Sequence, residues 1–190
     1  MKKAILVALR AALAAVSLAG LAYAQDVAAN KRSSSSPGLA LITPDVEPAT
    51  LTGMLAAQNQ VRTRVGLEAL TWSAELSASA AAAAEAAVEG ACSMGSTARG
   101  LRGADVSLYW ASAIRRFGGD DAAQEISPSY VVSRWNEGGS AYDPDALACR
   151  NSSTECAAYA RIVAPAHQEV GCARMLCPSQ AQVWICQYGE

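Results

Sequence analysis

The sequence predicts an α+β domain stapled by disulfides, with helices first and strands last. Three observations carry that reading. Apolar residues recur at helical spacing in the first half, and one stretch is almost pure alanine. After Cys149 the texture changes to short β-branched segments bounded by turn residues. Six cysteines follow an export-type leader, and five of them fall within residues 149–190. A late antiparallel sheet after a run of helices defines the α+β class, with room for three layers.

The elements follow in chain order. Lys2 and Lys3 open the chain, residues 11–21 form an uncharged apolar stretch, and Ala22-Tyr23-Ala24 offers a small-x-small cleavage pattern. Residues 1–24 therefore read as a signal peptide, since the apolar stretch is too short to span a bilayer. No later stretch is long and apolar enough for a membrane span. Residues 25–48, with Ser33-Ser34-Ser35-Ser36-Pro37-Gly38, read as a flexible linker. A folded domain of residues 49–190 follows.

Residues 49–64 carry Leu51, Met54, Leu55, Gln58 and Val61 at helical spacing, with Gly66 placed to end the helix. Leu70-Thr71-Trp72 is a short extended piece. Ser73 is placed to cap a helix through Val88, closed by Gly90. Residues 106–117 are read as a third helix. Pro128 opens a fourth, through Trp135, stopped by Gly138-Gly139. Residues 159–163, 170–175 and 182–188 read as strands.

Composition excludes some functions. The chain carries 15 basic and 17 acidic residues, and losing the three basic residues of the leader takes the net charge from −2 to −5. Nucleic-acid binding needs a basic footprint, which is missing. An even cysteine count in an exported chain reads as a disulfide framework, but six cysteines allow fifteen pairings. A zinc site is disfavoured by the cysteine spacings and by the single histidine, His167. By spacing His167 falls in a turn between two strands, where a solvated surface side chain is expected. No nucleophile signature surrounds it. Asp105, Glu137 and Asp120-Asp121 read as solvated carboxylates.

Several motifs together resemble a known family. Gln58-Asn59-Gln60-Val61-Arg62, then Val65-Gly66-Leu67 and Leu70-Thr71-Trp72, is similar to the opening helix of the CAP superfamily (cysteine-rich secretory proteins, antigen 5 allergens and pathogenesis-related class 1 proteins), with Gln in place of His. Trp135 and Tyr142 match its W…Y segment. Val170-Gly171-Cys172-Ala173, Cys177 and Trp184-Ile185-Cys186-Gln187-Tyr188 match its close. The order and spacing of these motifs across residues 51–188 make the likeness specific.

The resemblance implies a three-layer α-β-α sandwich around a small antiparallel sheet. It implies the disulfides Cys92–Cys177, Cys149–Cys156 and Cys172–Cys186. In the chain-entropy account the 85-residue loop closed by the first stabilises the fold by roughly 4–5 kcal/mol, against about 3 kcal/mol for the third. Many members hold two His and two Glu in a central cleft suited to a divalent metal. The corresponding positions here are Ser96, Ala104, Gly138 and Ala158, so the chain is expected to be a divergent, non-catalytic member without a metal or other cofactor. Some members bind sterols through the loop after the tryptophan helix. Here that loop presents Tyr142, Pro144 and Leu147, as a lipid-binding face or as an ordinary loop with Tyr142 packed on the core.

Asn151-Ser152-Ser153 is a glycosylation sequon inside the Cys149–Cys156 loop. The close at Gln187-Tyr188-Gly189-Glu190 lacks the P-x-G-N extension of plant defence members, so no releasable C-terminal peptide is expected. The leading expectation is a secreted, extracellular monomer that binds a sterol, another small lipid or an extracellular protein, in defence or host interaction. The alternatives are a structural cell-wall or matrix module tethered by residues 25–48, and a metal-dependent hydrolase using a non-standard site such as Glu137.

Overall fold

The computed structural model describes residues 45–90, 92–101 and 105–190. The leader, most of the linker and Ala104 lie outside the described residues. Residues 45–48 are tied to the domain. The Glu47 carboxylate accepts from the backbone N–H groups of Gly53 and Leu55 at 2.9 and 2.7 Å, and Asp45 Oδ1 accepts from Ala74 N at 2.9 Å. Both carboxylates thus sit at helix starts, where backbone N–H groups lack partners.

A 3₁₀ turn over Ala49–Leu51 precedes helix α1, Met54–Arg64. The helix expected over residues 49–64 is therefore interrupted at Thr52-Gly53. Strand β1 is Thr71–Trp72. Helix α2, Ala74–Glu89, starts where Ser73 Oγ accepts from Leu76 N at 3.3 Å. A short helix α3, Met94–Gly100, has no counterpart in the sequence reading.

Strand β2 is Val106–Ala111, which corrects the helix expected over residues 106–117. Its apolar residues have pairing partners all along β6, and that tertiary partnership overrides local pattern. Helix α4, Pro128–Asn136, runs into a 3₁₀ segment, Glu137–Ala141. Strands β3, Tyr142–Asp143, and β4, Ala148–Cys149, make a small hairpin. Helix α5, Thr154–Ile162, replaces the strand expected over residues 159–163. Its start is capped by Ser153 Oγ, which accepts from Cys156 N at 3.1 Å. Strands β5, Glu169–Leu176, and β6, Gln182–Gly189, lie where strands are expected.

The main sheet has the order β1-β5-β6-β2. It is antiparallel except at its edge, where β1 runs parallel to β5. Alternate residues of β5 and β6 feed two separate cores. On one face Ala173, Val183 and Ile185 pack with Ala80, Ala84 and Ala87 of α2. On the other, Val170, Cys172, Trp184, Cys186 and Tyr188 pack with Met54 and Val61 of α1, Val131 and Trp135 of α4, and Ala158 and Ile162 of α5. The result is an α-β-α sandwich: α2 on one side of the sheet, and α1, α4 and α5 on the other.

Gly171 explains how closely α2 lies on the sheet. A Cβ there would sit 2.1 Å from Ser77 N and 2.6 Å from Ser73 O. Three disulfides complete the domain: Cys92–Cys177, Cys149–Cys156 and Cys172–Cys186, with Cα separations of 5.9, 5.9 and 4.0 Å. Among the described residues no helix is long and apolar enough to cross a membrane.

Candidate functional site

The layer between the sheet and helices α1, α4 and α5 contains a chain of buried polar groups. Arg62, on α1, is buried and its guanidinium makes four hydrogen bonds to backbone carbonyls. Nε donates to Glu68 O at 2.6 Å, Nη1 to Ile162 O and Ala164 O at 2.8 and 3.0 Å, and Nη2 to His167 O at 2.9 Å. One cation thus ties the end of α5 and the turn after it to α1. Burial lowers its pKa.

One turn earlier, Gln58 Nε2 faces both sulfurs of the Cys172–Cys186 bridge, at 3.8 and 3.6 Å. Its Oε1 accepts from the Tyr188 hydroxyl at 2.9 Å. Ser107 Oγ lies 3.1 Å from the Tyr188 oxygen and 3.3 Å from the Ala158 carbonyl, so its one proton serves either. Burial raises the Tyr188 phenol far above its ordinary range.

His167 belongs to this layer, which corrects the solvated position expected for it. It follows α5 rather than lying between two strands. It is 8% exposed, and its ring stacks on Tyr188 with centroids 5.2 Å apart. Its Nδ1 lies 2.9 Å from Arg161 O, which favours the Nδ1–H tautomer as donor. Spacing along the chain carries no sign of this stack, because its partner is 21 positions away.

Of the four positions matched to the metal tetrad, Ser96, Gly138 and Ala158 lie among the described residues and Ala104 does not. Ser96, on α3, turns its hydroxyl back to Ser93, 2.8 Å from Ser93 Oγ and 3.0 Å from Ser93 O, and borders a hollow of about 210 Å³ facing α2. Ala158 is buried in α5 against the sheet. Gly138 has no room for any side chain: a Cβ would lie 2.2 Å from the Glu155 carbonyl and 2.4 Å from Cys156 N. The start of α5 rests directly on this backbone. Glu137, its neighbour, is exposed and pairs with Arg134 at 2.6 Å. Such a surface pair contributes little to stability. Asp105, Asp120 and Asp121 are exposed. Among the described residues no group of three or more His, Cys, Asp or Glu could hold a metal ion.

Where α3, β2 and α4 meet, a groove of about 400 Å³ opens instead. Its lining includes Met94 and Ala98 of α3, Leu108, Tyr109 and Trp110 of β2, Tyr130, Arg134 and Trp135 of α4, and Thr154 and Glu155 of α5. Tyr109 and Tyr130 meet edge to face with centroids 6.3 Å apart. Burial is the main cause that raises the Tyr109 phenol. Trp135 is buried, and its Nε1–H donates to Leu108 O at 3.0 Å, which holds α4 against β2. The sequence reading missed this groove because it took β2 for a helix. The Tyr-Trp pair of β2 and the Tyr…Trp pair of α4 were the available signal.

The loop after the tryptophan helix is the β3–β4 hairpin. Tyr142 is buried and packs edge to face on Tyr159, with centroids 5.4 Å apart. Tyr142 is thus packed on the core. Pro144 and Leu147 are exposed at the tip, where Asp143 Oδ1 accepts from Asp145 N and Ala146 N. Asn151 is also exposed, with its Oδ1 accepting from Ser153 N at 3.1 Å.

Comparison with one solved structure agrees on the fold. The chain resembles the crystal structure of hookworm platelet inhibitor at 16% identity, covering 77% of this chain and 71% of that one, with a TM-score of 0.55. Venom allergen-like protein 4 of Schistosoma mansoni is 15% identical, with 76% of this chain and 92% of that one covered and a TM-score of 0.48. No curated protein matches the sequence. The family model described as CAP, the cysteine-rich secretory protein family, matches residues 55–188. That span holds all three disulfides and the groove, and the chain belongs to the CAP family.

Proposed function

We propose that this chain is a secreted, non-catalytic binding protein whose groove between β2 and α4 takes a small apolar ligand such as a sterol or fatty acid. The observation that carries the reading is the aromatic lining of a groove of about 400 Å³, beside a Gly138 with no space for the carboxylate of a metal cleft. Concave, mostly apolar surfaces with a few polar groups at the rim suit small ligands. Here Arg134 and Glu155 supply those groups. CAP proteins are generally secreted and generally not enzymes, which supports the same reading.

A second reading places the ligand on the β3–β4 hairpin, because Leu147 is 60% exposed at its tip. Titration with a fluorescent fatty acid and a fluorescent sterol separates the two. Tyr130→Asp should abolish binding and Leu147→Asp should leave it intact. The opposite pattern moves the site to the hairpin, and saturation with neither lipid removes the lipid reading.

A further inference from the structure

The segment between β2 and α4, residues 112–127, is fastened only near its base. Ile114 and Ala122 exchange backbone hydrogen bonds of 2.7 and 3.0 Å. Gln124 Nε2 donates to Ser112 O at 2.7 Å, and Gln182 Nε2 donates to Gln124 O at 2.6 Å. Beyond that bridge, residues 115–121 turn at Phe117-Gly118 and make no hydrogen bond or ion pair to a described residue outside the segment. Arg115 and Arg116 are exposed at this tip, and Phe117, the chain's one phenylalanine, is fully exposed. A phenylalanine that buries nothing contributes nothing to the core.

We propose that the Arg116–Phe117 peptide bond is a processing site for a dibasic-directed serine endoprotease. Such an enzyme binds its substrate as an extended strand and reads the two guanidinium groups with acidic pockets. Exposed loop tips are the preferred places for nicking, because the chain can extend there without unfolding the core. Opening the Ile114–Ala122 bridge frees the residues before Arg115 for that strand. In the reaction, water adds across the Arg116–Phe117 amide: the C–N bond breaks, a C–O bond forms, and a carboxylate on Arg116 and an ammonium on Phe117 result.

The other described arginines are poorer substrates. Arg62, Arg64, Arg99, Arg134 and Arg161 are in helices, and Arg174 is in β5. Arg150 is held by its backbone N–H to Ala141 O and its Nη2 to Ser140 O, both at 2.8 Å.

The product stays whole. Cys92 lies before the cut and Cys177 after it, so the Cys92–Cys177 bond joins the two chains. The six-residue pairing of β2 with β6 also crosses the cut. The nicked protein is therefore a two-chain molecule with both cores retained and a new free end at Phe117.

The test treats the full chain, secreted from cultured cells, with a dibasic-specific subtilisin-like protease at low ratio. Cleavage should leave one band without reductant and two fragments with it, the second beginning Phe117-Gly118-Gly119, with near-ultraviolet circular dichroism unchanged. The R115Q/R116Q double variant should be cut at that bond about a hundredfold more slowly, as expected when a charged specificity contact is lost. Trimming after Arg32 shortens the chain with or without reductant, so it is not mistaken for the loop cut. A first cut elsewhere in the domain, fragments that separate without reductant, or equal cutting of the variant would overturn the proposal.

Discussion

The two faces of the sheet are built by opposite means. Beneath α2 the contact is made by alanines, valine and isoleucine, and Gly171 lets backbone touch backbone. Beneath α1, α4 and α5 the large apolar residues surround a polar thread of Arg62, Gln58, Tyr188, Ser107 and His167. The first face sets its spacing by the absence of side-chain volume. The second sets it by hydrogen bonds between elements distant in sequence. The second face also borders the groove, so the face that is costlier to assemble is the one that shapes the candidate site.

Perturbing each face in turn tests that contrast. The largest effect is expected from Arg62→Met, which strands four backbone carbonyls and destabilises the fold by about 3–5 kcal/mol in denaturant titration. A loss near that of an ordinary surface substitution would mean that the thread is decorative. Next come Gly171→Ala and Gly138→Ala, each forcing a methyl group into backbone about 2 Å away and costing about 2–3 kcal/mol. They should differ in consequence: only Gly138→Ala, which pushes on α5, should also disturb ligand binding in the groove.

Tyr188→Phe leaves Gln58 Oε1 without its donor and should cost about 1–2 kcal/mol by thermal melting. The same variant has a pH signature. Burial holds the Tyr188 phenol neutral, with its pKa raised, whereas an unfolded tyrosine ionises near pH 10. That contribution to stability is complete below about pH 10 and is lost as pH climbs above it toward the folded pKa. The native protein should therefore weaken at alkaline pH more steeply than Tyr188→Phe. The smallest effect is expected from Ser73→Ala on the apolar face, where losing the cap of α2 costs about 1 kcal/mol.

Legibility in the sequence follows the same division. Helix α2 was readable from its alanines and its serine cap, and β5 and β6 from short β-branched segments bounded by turn residues, because local pattern and final packing agree there. The motifs from Gln58 to Tyr188 carried the family and the sandwich. Strand β2 was not readable as a strand, since its identity comes from pairing with β6. Helix α5 was hidden by Ile162-Val163 at its end, although Ser153 with Glu155 offered a start signal. His167 and Gly138 were beyond reach for a different reason. The ring stack on Tyr188 and the contact with Glu155 are distances between elements, and single-chain spacing holds no record of them.

The anchoring of Asp45 to Ala74 N carries a practical consequence. The described chain starts against the first turn of α2, and Gly189 meets Leu76 in that same turn, where a Cβ would lie 3.2 Å from its methyl carbon. Both ends of the folded unit therefore emerge beside one helix start. Proteins with neighbouring ends tolerate circular permutation. A short connector from Glu190 to Asp45, with new termini opened between Phe117 and Gly118, should give a rearranged gene encoding the same sandwich.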